Sequence, residues 1–175
     1  MITNSVVFID SRVADYQTIV ASLPTGIDWY LLDKNSDGVS QIQSILANYS
    51  GLYSIQIFSH GSVGAIQIGS AELSNQNITD YQSQLAAIGS SLNDTGDIVL
   101  YGCNVAQSLD GQNFIQQLAK ITRADIAASS DLTGSTALGG NWVLESSTGA
   151  IEVETPDFAY DGLLADITGD NSANQ

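Results

Sequence analysis

The chain is poor in the residues that most often carry chemistry or staple a fold, with one cysteine, one histidine and two prolines among 175 residues. A lone cysteine cannot form a disulfide within the chain. Only four lysines and arginines stand against nineteen acidic residues, and the net charge of -15 argues against nucleic acid or an anionic membrane as a partner. Cations and basic peptides are the partners that this charge favours.

Long hydrophobic runs are also missing. The N-terminus shows no basic segment followed by an apolar stretch, and no run in the chain is long enough for a membrane span. We therefore expect no visible signal peptide and no membrane insertion. Abundant Asn, Gln, Ser, Thr and Gly with few Lys favours an extracellular or bacterial cell-surface location, reached through a signal read elsewhere.

What the chain does contain is enough apolar residue for a core, because 43% of it is hydrophobic. Strand-like and helix-like patterns alternate through five units, which favours a parallel sheet covered by helices on both faces. We predict a single three-layer α/β/α domain over residues 1–164 with a mainly parallel central sheet. A C-terminal β-hairpin is predicted from Trp142–Glu145 and Ala150–Val153, and a polar tail or linker over residues 165–175.

The histidine and the cysteine each follow a strand pattern. His60 comes directly after the run Tyr53–Ser59, and Cys103 comes two residues after the run Asp97–Tyr101. Strands joined by a crossover helix are usually neighbours, and ligand sites lie beyond the carboxyl ends of parallel strands. We therefore expect both side chains at one edge of the sheet, where the imidazole would activate the thiol for attack on a carbonyl.

Backbone N–H groups would complete such a site by holding the developing oxyanion. Gly61 is one candidate donor because it has no Cβ and lets a substrate approach closely, and the N–H of Cys103 is the other. The ordinary alternative is a buried cysteine that acts as a small hydrophobe and a histidine that is satisfied in the core. The matching placement of both residues favours the catalytic interpretation.

The same residues carry a resemblance. The segments Phe58–Gly61 and Leu100–Ala106 resemble the His-Gly and strand-Cys signatures of the caspase-like cysteine peptidases, which include caspases, metacaspases, gingipains and clostripain. This resemblance implies a caspase-like fold and cysteine endopeptidase activity. At Tyr101 the sequence departs from the pattern, since many of these enzymes carry an acidic residue two positions before the nucleophile.

A second resemblance covers nearly the whole chain. Residues Val6 to Val153 resemble an uncharacterised bacterial domain family, a domain of unknown function found near the N-termini of very large surface proteins and adhesins with cadherin-type or calcium-binding repeats. It implies that this domain belongs to a secreted or surface-attached bacterial protein. It implies no activity by itself.

The caspase-like resemblance also implies that loops at the same sheet edge select the substrate. Asp10 ends the first strand and Asp131 lies in the loop after the fifth, so either carboxylate would select a Lys or Arg side chain. Arg12 would favour an acidic substrate residue instead. Turn or helix-capping chemistry is the ordinary role of Asp at such positions.

The segment Asp33–Gly38 matches the first half of an EF-hand loop, but Ser44 stands where the bidentate glutamate belongs. We predict instead a turn that caps the helix beginning near Val39. No cofactor is expected, apart from weak calcium binding to so acidic a chain.

Three functions remain open from the sequence. The first is a cysteine endopeptidase that uses His60 and Cys103 on a polypeptide substrate, including its own parent chain in an autoprocessing reaction. The second is a catalytically inert adhesin or retention module of a bacterial surface protein. The third is a calcium-stabilised structural module.

Overall fold

The computed structural model describes residues 5–153, 158 and 160–164, so the predicted tail over residues 165–175 lies outside the described residues. The strands are β1 (Ser5–Asp10), β2 (Asp28–Leu32), β3 (Leu52–Phe58), β4 (Gly61–Ser62), β5 (Ala65–Ile68), β6 (Ala71–Ser74), β7 (Leu92–Tyr101), β8 (Asp125–Ala128) and β9 (Ser146–Ser147). The helices are α1 (Tyr16–Ser22), α2 (Gly38–Leu46), α3 (Gln82–Gly89) and α4 (Ser108–Thr122). Measured over the part of the chain that is described, every helix falls short of the length and apolar character that a bilayer span demands.

The main sheet, as far as the chain is described, has six strands in the order β2-β1-β3-β7-β8-β9. The first five run parallel to one another, and β9 runs antiparallel to β8. This confirms the predicted α/β class with a mainly parallel sheet. The strand order reverses at β1, which has β2 on one side and β3 on the other, and ligand crevices in such sheets lie beyond the carboxyl ends at this point.

Helices pack on both faces of the main sheet, as expected for a three-layer arrangement. Helices α2, α3 and α4 contribute to the larger hydrophobic core on one face, and α1 contributes to a smaller core on the other. Right-handed crossovers explain this division, because the connection from β1 to β2 runs in the opposite direction to the later ones. Residues of β1 alternate between the faces, with Val6 and Phe8 in the larger core and Val7 and Ile9 in the smaller one.

The single helix α1 leaves much of the second face to be covered by other residues. These come from beyond β8, and they bury their side chains against the ends of β3 and β7. The late members of the smaller core are Trp142, Phe158, Tyr160, Leu163 and Leu164. Described residues as far along the chain as Leu164 therefore contribute to the hydrophobic core.

The predicted C-terminal hairpin does not form. Neither Trp142–Glu145 nor Ala150–Val153 is a strand. The two serines that directly follow Glu145 form β9 instead, which pairs with Ala127 and Ala128 at the end of β8. An unpaired sheet edge needs hydrogen-bond partners, and β9 supplies them. Trp142 meanwhile packs into the smaller core and not across a hairpin.

The segment Asp33–Gly38 caps α2, as predicted. One carboxylate oxygen of Asp37 accepts hydrogen bonds from the backbone N–H groups of Val39 at 2.9 Å and Ser40 at 3.2 Å. These are donors that the first turn of a helix leaves without intrahelical partners. The other oxygen of Asp37 accepts from the Tyr81 hydroxyl at 2.7 Å, which ties α2 to the segment before α3.

Candidate active site

His60 and Cys103 lie at the carboxyl ends of two adjacent parallel strands. Phe58, the last residue of β3, pairs with Tyr101, the last residue of β7, and the Ser59 N–H donates to the Tyr101 carbonyl at 3.0 Å. The histidine and the cysteine therefore each follow within two residues of the same rung of the sheet. The structure brings the two residues to one edge, where the crossover argument expects them.

The backbone of Gly61 touches the loop that carries the cysteine. A Cβ added at Gly61 would lie 2.6 Å from Cγ2 of Val105 and 2.8 Å from the carbonyl oxygen of Cys103. Contacts this short are not tolerated by a real side chain, so only glycine fits here. Gly61 is a predicted oxyanion donor, and that role requires its backbone to lie close to Cys103.

His60 is buried, with 5% of its surface exposed. Its Nε2 lies 3.3 Å from the carbonyl oxygen of Arg12, in the loop after β1. A carbonyl can only accept, so this contact assigns the ring proton to Nε2 and makes Nδ1 the basic nitrogen of the neutral imidazole. The carbonyl oxygen of His60 in turn accepts from Gln67 of β5 at 3.0 Å, which fixes the backbone at this point.

The thiol of Cys103 is fully buried and contacts Thr133, in the loop after β8. The Thr133 N–H donates to Sγ at 3.2 Å, and Sγ lies 3.5 Å from the Thr133 carbonyl oxygen. The Thr133 hydroxyl donates to the carbonyl of Gly102 at 3.1 Å. Both the sulfur and the residue before it are thus held by one threonine.

The two candidate oxyanion donors share one acceptor. The Cys103 N–H donates to the carbonyl oxygen of Leu164 at 2.7 Å, and the Gly61 N–H donates to the same oxygen at 3.4 Å. Buried backbone N–H groups almost always find a partner, and here the chain provides a single carbonyl for both. The site is covered by this segment, where an open groove would be needed for a free substrate.

The segment that brings this carbonyl pairs with the loop after β8 through an isolated β-bridge. Leu163 bridges antiparallel to Gly134, and the Leu164 N–H donates to the Thr133 carbonyl at 2.9 Å. The Ser135 N–H donates to the carbonyl of Gly162 at 2.9 Å. Residues 162–164 are therefore held against the loop after β8 by one antiparallel bridge, next to the cysteine.

Asp10 is fully buried beside this edge. Its Oδ1 accepts from the Arg12 N–H at 2.9 Å and lies 3.6 Å from Nη1 of Arg12, while Oδ2 accepts from the Gly69 N–H at 2.8 Å. The Arg12 guanidinium also donates to the Gly69 carbonyl at 2.6 Å. Selection of a basic substrate side chain by Asp10, or of an acidic one by Arg12, stays a prediction that these contacts do not favour.

Asp131 is exposed and lies close to the cysteine loop. Its backbone carbonyl accepts from the Asn104 N–H at 2.8 Å, and its carboxylate accepts from the Ser129 hydroxyl at 2.8 Å and the Asn141 amide at 3.1 Å. These bonds hold the loop between β8 and Thr133. A role of Asp131 in substrate binding stays a prediction.

Tyr101 replaces the acid of the caspase-like pattern and faces the smaller core. Its ring stacks on Phe58 at 4.4 Å between centroids and meets Trp142 and Phe158 edge-on. The residue is fully buried, and burial raises the pKa of its phenol. Burial also raises the pKa of Tyr160 to about 12, with smaller effects from Asp15 and Cys103. The side chains in the smaller core around the thiol are thus aromatic and uncharged at neutral pH.

An acidic group lies at the opposite end of the sheet from Cys103. Asp97, Asp125 and Glu152 each offer one carboxylate oxygen, and these oxygens lie within 4.8 Å of one another. Oδ2 of buried Asp97 accepts from the N–H groups of Glu152 at 2.8 Å and Val153 at 3.1 Å, while Oδ1 makes no hydrogen bond to a described residue. Burial and the neighbouring Glu152 raise the pKa of Asp97, against the opposing effect of these two donors.

Sequence reasoning missed Thr133 and Leu164, which complete the site. No periodic pattern marks either residue, because each acts through backbone atoms on partners far along the chain. The only sequence signal is the apolar pair Leu163-Leu164 directly before a polar tail. Such a pair indicates a buried segment but not its position.

The fold and the site define an α/β protein with a lone histidine and a lone cysteine at one end of a mainly parallel sheet. Residues 6–163 match a family described as "Domain of unknown function (DUF4347)", and the chain belongs to this family. No curated protein matches the chain. Among solved structures, the crystal structure of a small-chain dehydrogenase is similar at a TM-score of 0.35 and 9% identity, covering 68% of this chain and 77% of that one.

Proposed function

We propose that the chain is a cysteine endopeptidase of caspase-like fold, with Cys103 as nucleophile, His60 as base, and the N–H groups of Gly61 and Cys103 as oxyanion donors. One observation carries the proposal: both N–H groups donate to a single carbonyl oxygen. Two preorganised donors on one oxygen are what stabilises the tetrahedral intermediate of acyl transfer.

The contacts around the dyad support the same chemistry. The Arg12 carbonyl holds Nε2 of His60, which leaves Nδ1 as the nitrogen that would accept the thiol proton. The Thr133 N–H donates to Sγ at 3.2 Å and the thiol donates to the Thr133 carbonyl at 3.5 Å, so this residue fixes the position of the sulfur. The protonated imidazole then returns its proton to the leaving amine, and water hydrolyses the thioester.

The proposed substrate is a polypeptide, including the domain's own parent chain. We take that parent to be an exported bacterial surface protein, on the strength of the family resemblance and of a composition poor in lysine and arginine. The net charge of -15 supports a protein substrate over nucleic acid.

An inert adhesin or retention module is the second candidate, and the complete burial of the Cys103 side chain favours it. Mass spectrometry separates the two. The purified chain is incubated with an unbiased peptide mixture, and cleavage of the peptides and of the chain itself is followed in wild type, Cys103→Ala and His60→Ala. We expect cleavage only in wild type, with thermal unfolding used to show that the variants are folded. Cleavage that persists in Cys103→Ala would contradict the proposed peptidase activity. The absence of cleavage of any polypeptide by wild type would contradict it as well.

A further inference from the structure

We infer that the bond after Leu164, between residues 164 and 165, is the one that this site cuts, and that the chain's own segment up to Leu164 lies in the site as substrate. The inference rests on the proposed peptidase and names its substrate. It is argued from the carbonyl group that accepts hydrogen bonds from both proposed oxyanion donors.

The position of the Leu164 carbonyl is the first argument. Its oxygen accepts from the Cys103 N–H at 2.7 Å and from the Gly61 N–H at 3.4 Å. In acyl transfer, the oxygen held by such donors belongs to the carbonyl that the nucleophile attacks. The carbon bonded to this oxygen is the carbonyl carbon of Leu164, so the scissile bond joins it to the nitrogen of residue 165.

The antiparallel bridge between Leu163 and Gly134 is the second argument. Peptides bind to many proteins by adding a strand to an exposed edge, where backbone hydrogen bonds give affinity and side-chain pockets give selectivity. Leu164 and Gly162 make such bonds with Thr133 and Ser135, at 2.9 Å each. Thr133 also contacts Sγ of Cys103, so one residue aligns both the substrate strand and the nucleophile.

The side chain of Leu164 is the third argument. It is fully buried in the smaller core together with Cys103 and Tyr101. The surroundings that receive the residue before the cut are therefore apolar and aromatic. The substrate class is a segment that ends in leucine and has further apolar residues before it. In this chain those residues are Phe158 and Tyr160. This differs from the Lys or Arg selectivity expected from Asp10 and Asp131.

The chemistry balances without any co-reactant except water. The thiolate of Cys103 forms a bond to the carbonyl carbon of Leu164, and the carbonyl electron pair moves to the oxygen between the two N–H donors. The pair returns as the bond from this carbon to the nitrogen of residue 165 breaks, and His60 protonates the departing amine. Water then adds to the thioester, which frees the thiol and leaves Leu164 with a carboxylate.

The experiment uses the full 175-residue chain with an affinity tag after Gln175, and intact-mass spectrometry maps the cut. We expect a fragment that ends at Leu164 and a tagged one that begins at Ala165, formed at a first-order rate that does not depend on protein concentration. Cys103→Ala stays intact, alone and when mixed with wild type, because the substrate segment is held within each chain.

Variants of Leu164 test the apolar pocket. Leu164→Met conserves the volume and is expected to be cut within about threefold of the wild-type rate. Leu164→Glu would bury a carboxylate, so we expect it to be cut roughly 100-fold more slowly or not at all. Leu109→Glu is the matched control, because Leu109 is 79% exposed and so lines no buried apolar pocket, and its cutting rate should not change.

The outcomes separate this inference from the proposed function. Cysteine-dependent cleavage of added peptides or of another bond, with the bond after Leu164 intact, overturns the inference and leaves the peptidase standing. A cut after Leu164 that persists in Cys103→Ala overturns both. Should Leu164→Glu fail to fold, the Leu164→Met and Leu109→Glu variants still decide the case, because both must yield the same cut as wild type.

Discussion

The backbone N–H of Thr133 donates to the sulfur of Cys103 at 3.2 Å, from a position 30 residues further along the chain. The thiol in turn donates to the carbonyl oxygen of Thr133 at 3.5 Å. The loop after β8 must therefore be folded for the sulfur of the proposed nucleophile to be held in place. Activity and folding of this loop should be lost together.

Gly61→Ala should damage both the site and the fold. The added methyl would meet Val105 at 2.6 Å and the Cys103 carbonyl at 2.8 Å, so we expect a loss of about 1–3 kcal/mol in the free energy of unfolding. Urea denaturation measures this loss. Adding Val105→Ala should restore only part of it, because the carbonyl contact remains. Unchanged stability in Gly61→Ala would contradict the close approach of the two loops.

Tyr101→Phe should stabilise the protein. The Tyr101 hydroxyl is buried and makes no hydrogen bond to a described residue, and such a group costs about 1–3 kcal/mol. We therefore expect the free energy of unfolding to rise by about 1 kcal/mol on its removal. Tyr53→Phe is the control, since Tyr53 is 54% exposed and its hydroxyl can reach water. A loss of stability in Tyr101→Phe would mean that the hydroxyl has a partner.

Asp97 should make stability fall as the pH rises above the ordinary carboxyl range. Its pKa is raised in the folded protein, mainly by burial, so the folded state keeps this proton to a higher pH than the unfolded chain does. Between the ordinary pKa of about 3.9 and the raised value, the unfolding free energy therefore decreases with pH. Asp97→Asn should remove this slope and be more stable at neutral pH without metal. Parallel pH profiles of the two proteins in denaturation would refute the assignment.

Calcium binding should offset the loss of stability that ionised Asp97 causes. Three carboxylates within 4.8 Å, one of them buried with an oxygen that bonds no described residue, suit a hard cation that prefers oxygen ligands. We expect millimolar calcium to raise the melting temperature of wild type and chelator to lower it again. Asp97→Asn should lose the response, whereas Asp131→Asn, at an exposed carboxylate elsewhere, should keep it. The same melting temperature with calcium and with chelator would remove calcium as a ligand.

The sheet could be predicted from the sequence because each strand and helix is marked by a pattern within its own short segment. The alternation of apolar runs and helical spacing identified β1, β2, β3, β7 and β8, and the crossover rule placed His60 and Cys103 at one end of neighbouring strands. The capping role of Asp37 was also readable, since Asp directly before a helix has a short-range partner.

The C-terminal third was not predictable in the same way. Trp142–Glu145 and Ala150–Val153 have the alternation of strands, but their partners are the smaller core and Asp97, not each other. Thr133 and Leu164 act through their backbone, so their residue types carry no signal of their roles. Long-range packing on the face that α1 leaves uncovered decides where all of these segments lie.

The bridged segment of residues 162–164 limits how often the proposed site can work. A substrate that is part of the same chain is present in one copy, so each molecule would make its cut once. The backbone bonds to Thr133 and Ser135 lie on the retained side of that cut, so the new carboxyl terminus would stay seated in the cleft. The domain would then cut its own chain once, and the retained segment would compete with any other polypeptide for the site.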